Sequence, residues 1–135
     1  MGVADKILHI LYILGYFISS ILLISIDLPV IQAGPADLNI TLSNNATFRC
    51  QATGVPPITG YQWFFNDTLL TSSSHHVIQG PTLIIVSVTL ADVGYYKCLV
   101  SNQVGDSMSN QAFLTVLRKK IVFLFCTILL SALYP

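Results

Sequence analysis

The side chains of this sequence with the clearest capacity for chemistry are two adjacent histidines, His75 and His76, which follow a run of hydroxyl residues, 71–74. Imidazole nitrogens bind zinc, and a histidine near a hydroxyl is one component of a nucleophilic site. Segment 72–79 has the pattern of a short polar strand, however, and neighbouring strand residues point to opposite faces. We therefore expect the two imidazoles to be solvated and predict no metal site.

The carboxylates provide no partner for catalysis. Every acidic residue is an aspartate, and the one nearest to the hydroxyl run in sequence, Asp67, belongs to a predicted turn. General acid–base chemistry needs titratable groups that converge on one point, and no such set can be assembled from these residues. The sequence predicts no enzyme activity, no catalytic residue and no cofactor.

Composition divides the chain into a middle segment and two apolar ends. Hydrophobic residues make up 53% of the 135 residues and charged residues only 9%, whereas about a quarter of an average globular domain is charged. Most of the apolar excess lies in two blocks, 7–26 and 121–135. The formal net charge is zero and the middle segment has no basic cluster, which argues against a nucleic-acid partner.

The N-terminal block has a length between that of a secretory signal sequence and that of a membrane-spanning helix. We interpret residues 1–33 as a signal peptide cleaved after Ala33, with a retained signal-anchor as the alternative. Either segment would send the following domain to the extracellular side of the plasma membrane or into secretion.

The C-terminal segment, 118–135, joins a basic triplet to an apolar tail that is short for a membrane span. After a cleaved leader, a spanning tail would leave the triplet outside, against the positive-inside tendency. A lipid-anchor signal is disfavoured because the suitable small residues precede the last predicted strand, and a translated intron is a further alternative. We expect membrane association through one of the two apolar ends.

Cysteines and glycosylation signals indicate the compartment. Cys50 and Cys98 lie far apart in the middle segment, and Cys126 lies in the apolar tail. A widely spaced pair behind a leader favours an oxidising environment. Three acceptor sequons for N-linked sugars begin at Asn39, Asn45 and Asn66.

Apolar and polar residues alternate with a period of two through the middle segment, and turn residues interrupt the alternation at 54–57, 66–67 and 80–81. This pattern predicts about seven short strands. An antiparallel β-sandwich buries one face of each strand. We therefore predict an all-β domain over residues 35–117, with a hydrophobic helical segment on either side of it.

The order of the key residues resembles that of the immunoglobulin superfamily. Cys50, Trp63 and the run 92–98 (Asp-Val-Gly-Tyr-Tyr-Lys-Cys) reproduce its pattern Cys…Trp…Asp-x-Gly-x-Tyr-x-Cys. Residues 83–88 and 102–105 resemble the I-set or C2-type branch, which includes domains of neural adhesion molecules and hemicentin-like proteins. The resemblance implies a Greek-key sandwich, and the short interval between the cysteines leaves no room for the C′ and C″ strands of a variable-type domain.

The resemblance also implies a disulfide between Cys50 and Cys98. Trp63 on strand C would pack against that bond as a large rigid core side chain. Closing a loop of this size stabilises a small domain by roughly 4 kcal/mol in the chain-entropy account.

The resemblance also implies structural roles for three further motif residues at the turn between strands E and F. The Tyr96 hydroxyl would satisfy a backbone group there, Gly94 would permit a tight or positive-φ turn, and Asp92 would accept backbone N–H groups. Many relatives pair this aspartate with an arginine on strand D, which the present sequence lacks.

Strand phase suggests a binding surface. If Trp63, Tyr96 and Leu114 face inward, four apolar residues face outward on the sheet of strands G, F and C. We name these residues the G–F–C face: Phe64, Tyr95, Leu99 and Phe113. Asn39 and Asn45 would face outward on the A–B–E–D sheet, so that their sugars leave the G–F–C face free.

Aromatic, charge-poor patches of this kind are typical of protein–protein interfaces. The sequence therefore predicts an extracellular recognition or cell-adhesion module that binds a protein ligand or a second copy of itself. The alternatives are a structural spacer domain from a larger multi-Ig array and a soluble immune-type binder.

Overall fold

The computed structural model describes residues 2–21, 26–119 and 133. A helix, α1, comes first and eleven strand segments follow it, with a 3-10 helix at Leu90–Asp92. The bounds are α1 Val3–Ile21, β1 Val30–Ala33, β2 Leu38–Thr41, β3 Ala46–Arg49, β4 Gln51–Thr53, β5 Gly60–Phe65, β6 Thr68–Leu69, β7 His76–Gln79, β8 Thr82–Ile85, β9 Gly94–Ser101, β10 Asp106–Met108 and β11 Ala112–Leu117.

The strands form the two layers of a sandwich. One layer has the order β2-β11-β9-β5-β6, with β10 also paired to β9, and corresponds to strands G, F and C with their neighbours. The other contains β3-β8-β7, and β4 continues β3 past Cys50 to pair with β1. Pairing among the described strands is antiparallel except between β2 and β11, which are parallel. The predicted all-β sandwich is confirmed.

The core follows from the alternation of the strands. Every second residue of β9 from Gly94 to Val100 is buried, and the residues between them are not. Trp63 lies opposite Cys98 in the register of β5 and β9, and both side chains are fully buried. A disulfide joins Cys98 to Cys50 of the other layer, with the two Cα atoms 6.5 Å apart. The bond therefore crosses the core beside the only tryptophan.

The sandwich begins before the expected boundary at residue 35. β1 pairs with β4 in one layer, whereas β2 pairs with β11 in the other, so the chain changes layers between them. Pro35 has no N–H to donate to a sheet, which favours a break at this point. Cleavage after Ala33, as expected for the leader, would remove β1 from the sheet.

Strand segments outnumber the expected seven because several strands are interrupted. A short strand, β6, also stands in the C′ position that was expected to be missing. It fits because β5 and β6 are joined by only Asn66 and Asp67, both with positive φ. A two-residue turn of this kind matches the twist of the adjoining strands, and asparagine and aspartate tolerate the conformation.

The apolar ends are described in part. α1 accounts for the N-terminal block as far as Ile21, and residues 22–25 lie outside the described residues. Within the described ranges, no helix combines the length and the apolar character that a membrane crossing requires. The tail, including Cys126, lies outside the described residues except for Leu133.

Gly94 is needed for a reason other than the expected one. It is buried at the start of β9, and its φ is not in the positive range. A Cβ atom at this position would lie 2.6 Å from Phe65 Cε2 and 2.7 Å from Asn66 Oδ1. The close approach of β5 and its turn therefore excludes any side chain at residue 94.

Gly94→Ala is expected to lower the free energy of unfolding by about 1–3 kcal/mol, because the added methyl group overpacks this contact. Gly60→Ala is the matched control, since a Cβ there meets nothing within 4 Å; its effect should stay within about 0.5 kcal/mol. Urea unfolding of the two variants tests the difference, and equal stabilities would contradict the packing described.

Candidate protein-binding face

The central strands β5, β9 and β11 carry the four residues of the G–F–C face on the side away from the core. Phe113 lies opposite Tyr95 in the register of β11 and β9. Their rings meet edge to face with centroids 4.8 Å apart, a favourable geometry for an aromatic pair. Phe64 lies opposite Lys97, and Leu99 lies opposite Gln62. The structure thus places all four residues on one surface and brings two of them into direct contact.

Exposure differs among the four. Tyr95 is 47% exposed, whereas Phe64, Leu99 and Phe113 are half-buried. A flat sheet surface exposes only the outer part of each side chain, because cross-strand neighbours cover the rest. The face is consequently a shallow apolar surface rather than a row of projecting side chains.

Two further apolar residues border the face, and strand alternation alone does not identify them. Leu69 of β6 lies opposite Phe64, and Met108 of β10 lies opposite Leu99; they are 49% and 47% exposed. The signal for Leu69 was the Asn66-Asp67 turn, since a two-residue hairpin brings residue 69 back beside residue 64. β10 has only three residues, which is too short for its alternation to identify Met108.

The charged groups near the face, Lys97, Asp67 and Asp37, each have a partner within the domain. Lys97 forms an ion pair with Asp67 across the β5–β6 turn, and Asp67 is well exposed, so solvent screens the pair. Asp37 Oδ1 accepts a hydrogen bond of 2.7 Å from the Phe113 N–H group. The Lys97 ammonium group therefore lies at the β5–β6 turn, at the border of the G–F–C face.

The sequon asparagines do not all lie where strand phase placed them. Asn39 belongs to β2 and lies opposite Thr115 of β11, so it is on the G–F–C sheet and not on the A–B–E–D sheet. The expected sheet is wrong because the chain changes layers after β1, which strand phase does not reveal. Asn39 is exposed, and a sugar attached to it would stand beside the edge of the face near Phe113.

The other two sequons lie at turns. Asn45 is exposed at the start of β3, and its Oδ1 accepts a hydrogen bond of 2.9 Å from the Ser87 N–H group. Asn66 is exposed in the β5–β6 turn, where its Oδ1 accepts a hydrogen bond of 2.9 Å from the Tyr95 N–H group. In both hydrogen bonds the acceptor is the amide oxygen, so neither bond involves the amide nitrogen to which a sugar would be attached.

The turn before β9 is held by Tyr96 and Asp92. The Tyr96 hydroxyl donates a buried hydrogen bond of 2.8 Å to the Asp92 carbonyl oxygen, and burial raises the pKa of Tyr96. Asp92 Oδ2 accepts hydrogen bonds from Thr89 N–H and Thr89 Oγ1, at 2.7 and 2.8 Å. These contacts fix the base of β9, from which Tyr95 projects to the opposite side.

The histidines contradict the expectation that they point apart. Strand β7 begins only at His76, because the Ser73 hydroxyl accepts hydrogen bonds from the N–H groups of His75 and His76 and holds a turn there. Strand alternation therefore does not apply to His75. His75 Nε2 lies 2.9 Å from Asp92 Oδ1 and His76 Nε2 lies 3.9 Å from it. His75 takes the place of the missing arginine.

Burial affects the titration of this cluster. Burial alone would raise the pKa of Asp92, but the hydrogen bonds from His75 and Thr89 outweigh it, and the pKa is lowered. Burial and the neighbouring His75 lower the pKa of His76, although Asp92 acts in the opposite direction. At neutral pH the two shifts favour the ionised carboxylate of Asp92 and the neutral form of His76.

Comparison with known proteins agrees with the fold. A model of the immunoglobulin domain family matches residues 29–102, and the chain therefore belongs to this family. The tandem Ig repeats of Dlar superpose on 67% of this chain and 49% of that one, with a TM-score of 0.63 and 27% identity. The resemblance inferred from the cysteine and tryptophan pattern is confirmed.

Two relatives are much longer proteins, and the part that matches this chain is a small share of each. Contactin-2 of Mus musculus is 38% identical over 92 residues, which make up 64% of this chain and 9% of that protein. The Xenopus laevis protein named "Cell adhesion molecule-related/down-regulated by oncogenes" is 30% identical over 88 residues, 65% of this chain and 7% of that protein. The chain is thus similar to one domain of much longer proteins.

Tyr96→Phe is expected to lower the free energy of unfolding by about 1–2 kcal/mol, because the buried Asp92 carbonyl loses its hydroxyl donor. Tyr95→Phe makes the same chemical change at the exposed neighbouring position and should stay within about 0.5 kcal/mol. Urea or thermal unfolding measures both variants. A Tyr96→Phe variant as stable as Tyr95→Phe would contradict the role given to the hydroxyl.

Proposed function

We propose that this chain is an extracellular recognition or adhesion module that binds another protein, or a second copy of itself, through the G–F–C face. The observation that carries the proposal is the edge-to-face pair of Tyr95 and Phe113 on the open side of the sheet. Aromatic side chains offer large contact areas at a low cost in conformational entropy and are enriched at protein interfaces.

The neighbourhood of that pair supports the proposal. Leu69 and Met108 are exposed apolar residues on the same surface. Leu69 extends the G–F–C face onto β6, and Met108 extends it onto β10. Apolar side chains gathered on one exposed surface are typical of interaction sites, whereas scattered ones are not. The paired charges of Lys97 and Asp67 would then belong to a polar rim.

Glycosylation at Asn39 would limit the direction of approach. A sugar there borders the face on the β2 side, while a sugar at Asn45 lies at the start of β3 in the other layer. We infer that a partner approaches from the β5–β6 side, over Phe64 and Leu69.

The extracellular setting of the module is part of the same proposal. It is supported by the disulfide, the three sequons and the apolar leader, which together suit an oxidising compartment. Asn102 Nδ2 donates a hydrogen bond of 2.8 Å to the Asp27 carbonyl oxygen, and β1 pairs within the sheet. If the leader is removed, we propose that cleavage occurs before Asp27, and not after Ala33.

A spacer domain in a multi-Ig array is the second candidate. It is favoured by the small share of each long relative that the chain matches and by the likeness to tandem Ig repeats. Transcripts that continue into further Cys…Trp…Cys units would support a spacer, and in that case charge substitutions on the G–F–C face would leave adhesion unchanged.

Cells that display the full chain provide the test. Phe113→Asp and Phe64→Asp each place a charge in the apolar surface, and we expect each to weaken cell–cell or cell–ligand adhesion by about thirtyfold or more in apparent affinity, the scale of an interface hot spot. Gln51→Asp is the control, because it adds the same charge at an exposed position of β4 in the other layer.

Surface expression and thermal unfolding establish that all three variants fold. Adhesion that survives both Phe113→Asp and Phe64→Asp would refute the proposed face. Adhesion that is lost equally in Gln51→Asp would show an effect of charge that is unrelated to this surface.

A further inference from the structure

We propose that His75, His76 and Asp92 form a binding site for a divalent transition-metal ion of the zinc type. Each residue offers one ligand atom, and the three atoms lie within 4.8 Å of one another. The site stands at the turn before β7 and the 3-10 helix Leu90–Asp92. It is independent of the G–F–C face and of the function proposed for it.

The distances suit a tetrahedral ion. Zinc binds histidine nitrogen and aspartate oxygen at roughly 2.0–2.2 Å, so that its ligand atoms are about 3.4 Å from each other. Asp92 Oδ1 lies 2.9 Å from His75 Nε2 and 3.9 Å from His76 Nε2, one distance shorter and one longer than this value. Small rotations of the two imidazoles would bring all three atoms to bonding distance.

The His75–Asp92 contact does not explain why the Nε2 atom of His76 has no hydrogen-bond partner among the described residues. The contact between His75 and Asp92 alone would replace the arginine–aspartate pair of related domains. His76 Nε2 is nevertheless buried, and it has no hydrogen-bond partner among the described residues. A buried nitrogen without a partner is costly, and a metal ion bound to Asp92 Oδ1 would supply one.

The surroundings of Asp92 prepare it as a ligand. Its Oδ2 is held by two hydrogen bonds from Thr89, which orient the carboxylate and leave Oδ1 directed at the histidines. Outer contacts of this kind fix the first ligands of metal sites.

Three protein ligands leave a fourth position for water. The His75 side chain is 37% exposed, so an ion can enter from solvent on that side. Two imidazoles and one carboxylate are ligands that suit zinc, whereas calcium and magnesium prefer oxygen. A bound ion would tie the start of β7 to the turn before β9.

Titration of the full chain in detergent with Zn²⁺ tests the site by calorimetry. We expect one ion per chain. His76→Ala removes one imidazole ligand and keeps the His75–Asp92 contact. His75→Arg removes the second imidazole ligand and introduces an arginine that can pair with Asp92. Each should weaken Zn²⁺ binding by at least about tenfold, since even the loss of an outer contact has an effect of that size. His9→Ala, at the remaining histidine of the chain, should bind as the wild type does.

Nitrogen-15 NMR of the histidine rings supplies a second measurement. Zn²⁺ should shift the Nε2 resonances of His75 and His76 together and leave His9 unchanged. Thermal unfolding without metal checks that both variants fold. The proposal is overturned if the wild type does not bind Zn²⁺, if both site variants bind it unchanged, or if His9→Ala removes binding.

Discussion

The contact on which the structure depends is the crossing of the core by the Cys50–Cys98 disulfide beside the Trp63 indole. Cys50 lies between β3 and β4 of one layer, and Cys98 and Trp63 are register partners in the other. All three are fully buried. Two small sheets have little apolar area with which to hold together, so a covalent link and one large ring contribute much of what fixes their spacing.

This constraint also sets the outer surface. Because Trp63, Tyr96 and Cys98 must point inward, strand geometry directs Phe64, Tyr95 and their neighbours outward. Strands β5, β9 and β11 thus carry the core on one side and the G–F–C face on the other. A binding surface built on central strands is held rigidly, which lowers the entropy lost on association.

The sequence predicted the sandwich and the outward placement of the G–F–C face, because both depend on alternation within single strands. It did not predict which layer each edge strand joins. Asn39 was assigned to the wrong sheet, since the change of layers after β1 is a tertiary event without a local signal. The structure places His75 outside the strand, because a turn held by the Ser73 hydroxyl makes β7 begin later than the polar pattern suggests.

Disulfide mapping of the folded protein, combined with quenching of Trp63 fluorescence by acrylamide, is the most direct test of the account. Trp63 is the only tryptophan, so the signal reports one site. We expect a single cross-linked peptide that contains Cys50 and Cys98, and a tryptophan that acrylamide reaches only after unfolding. Alkylation of both thiols in the folded protein, or equal quenching before and after unfolding, would contradict the sandwich and every surface assigned from it.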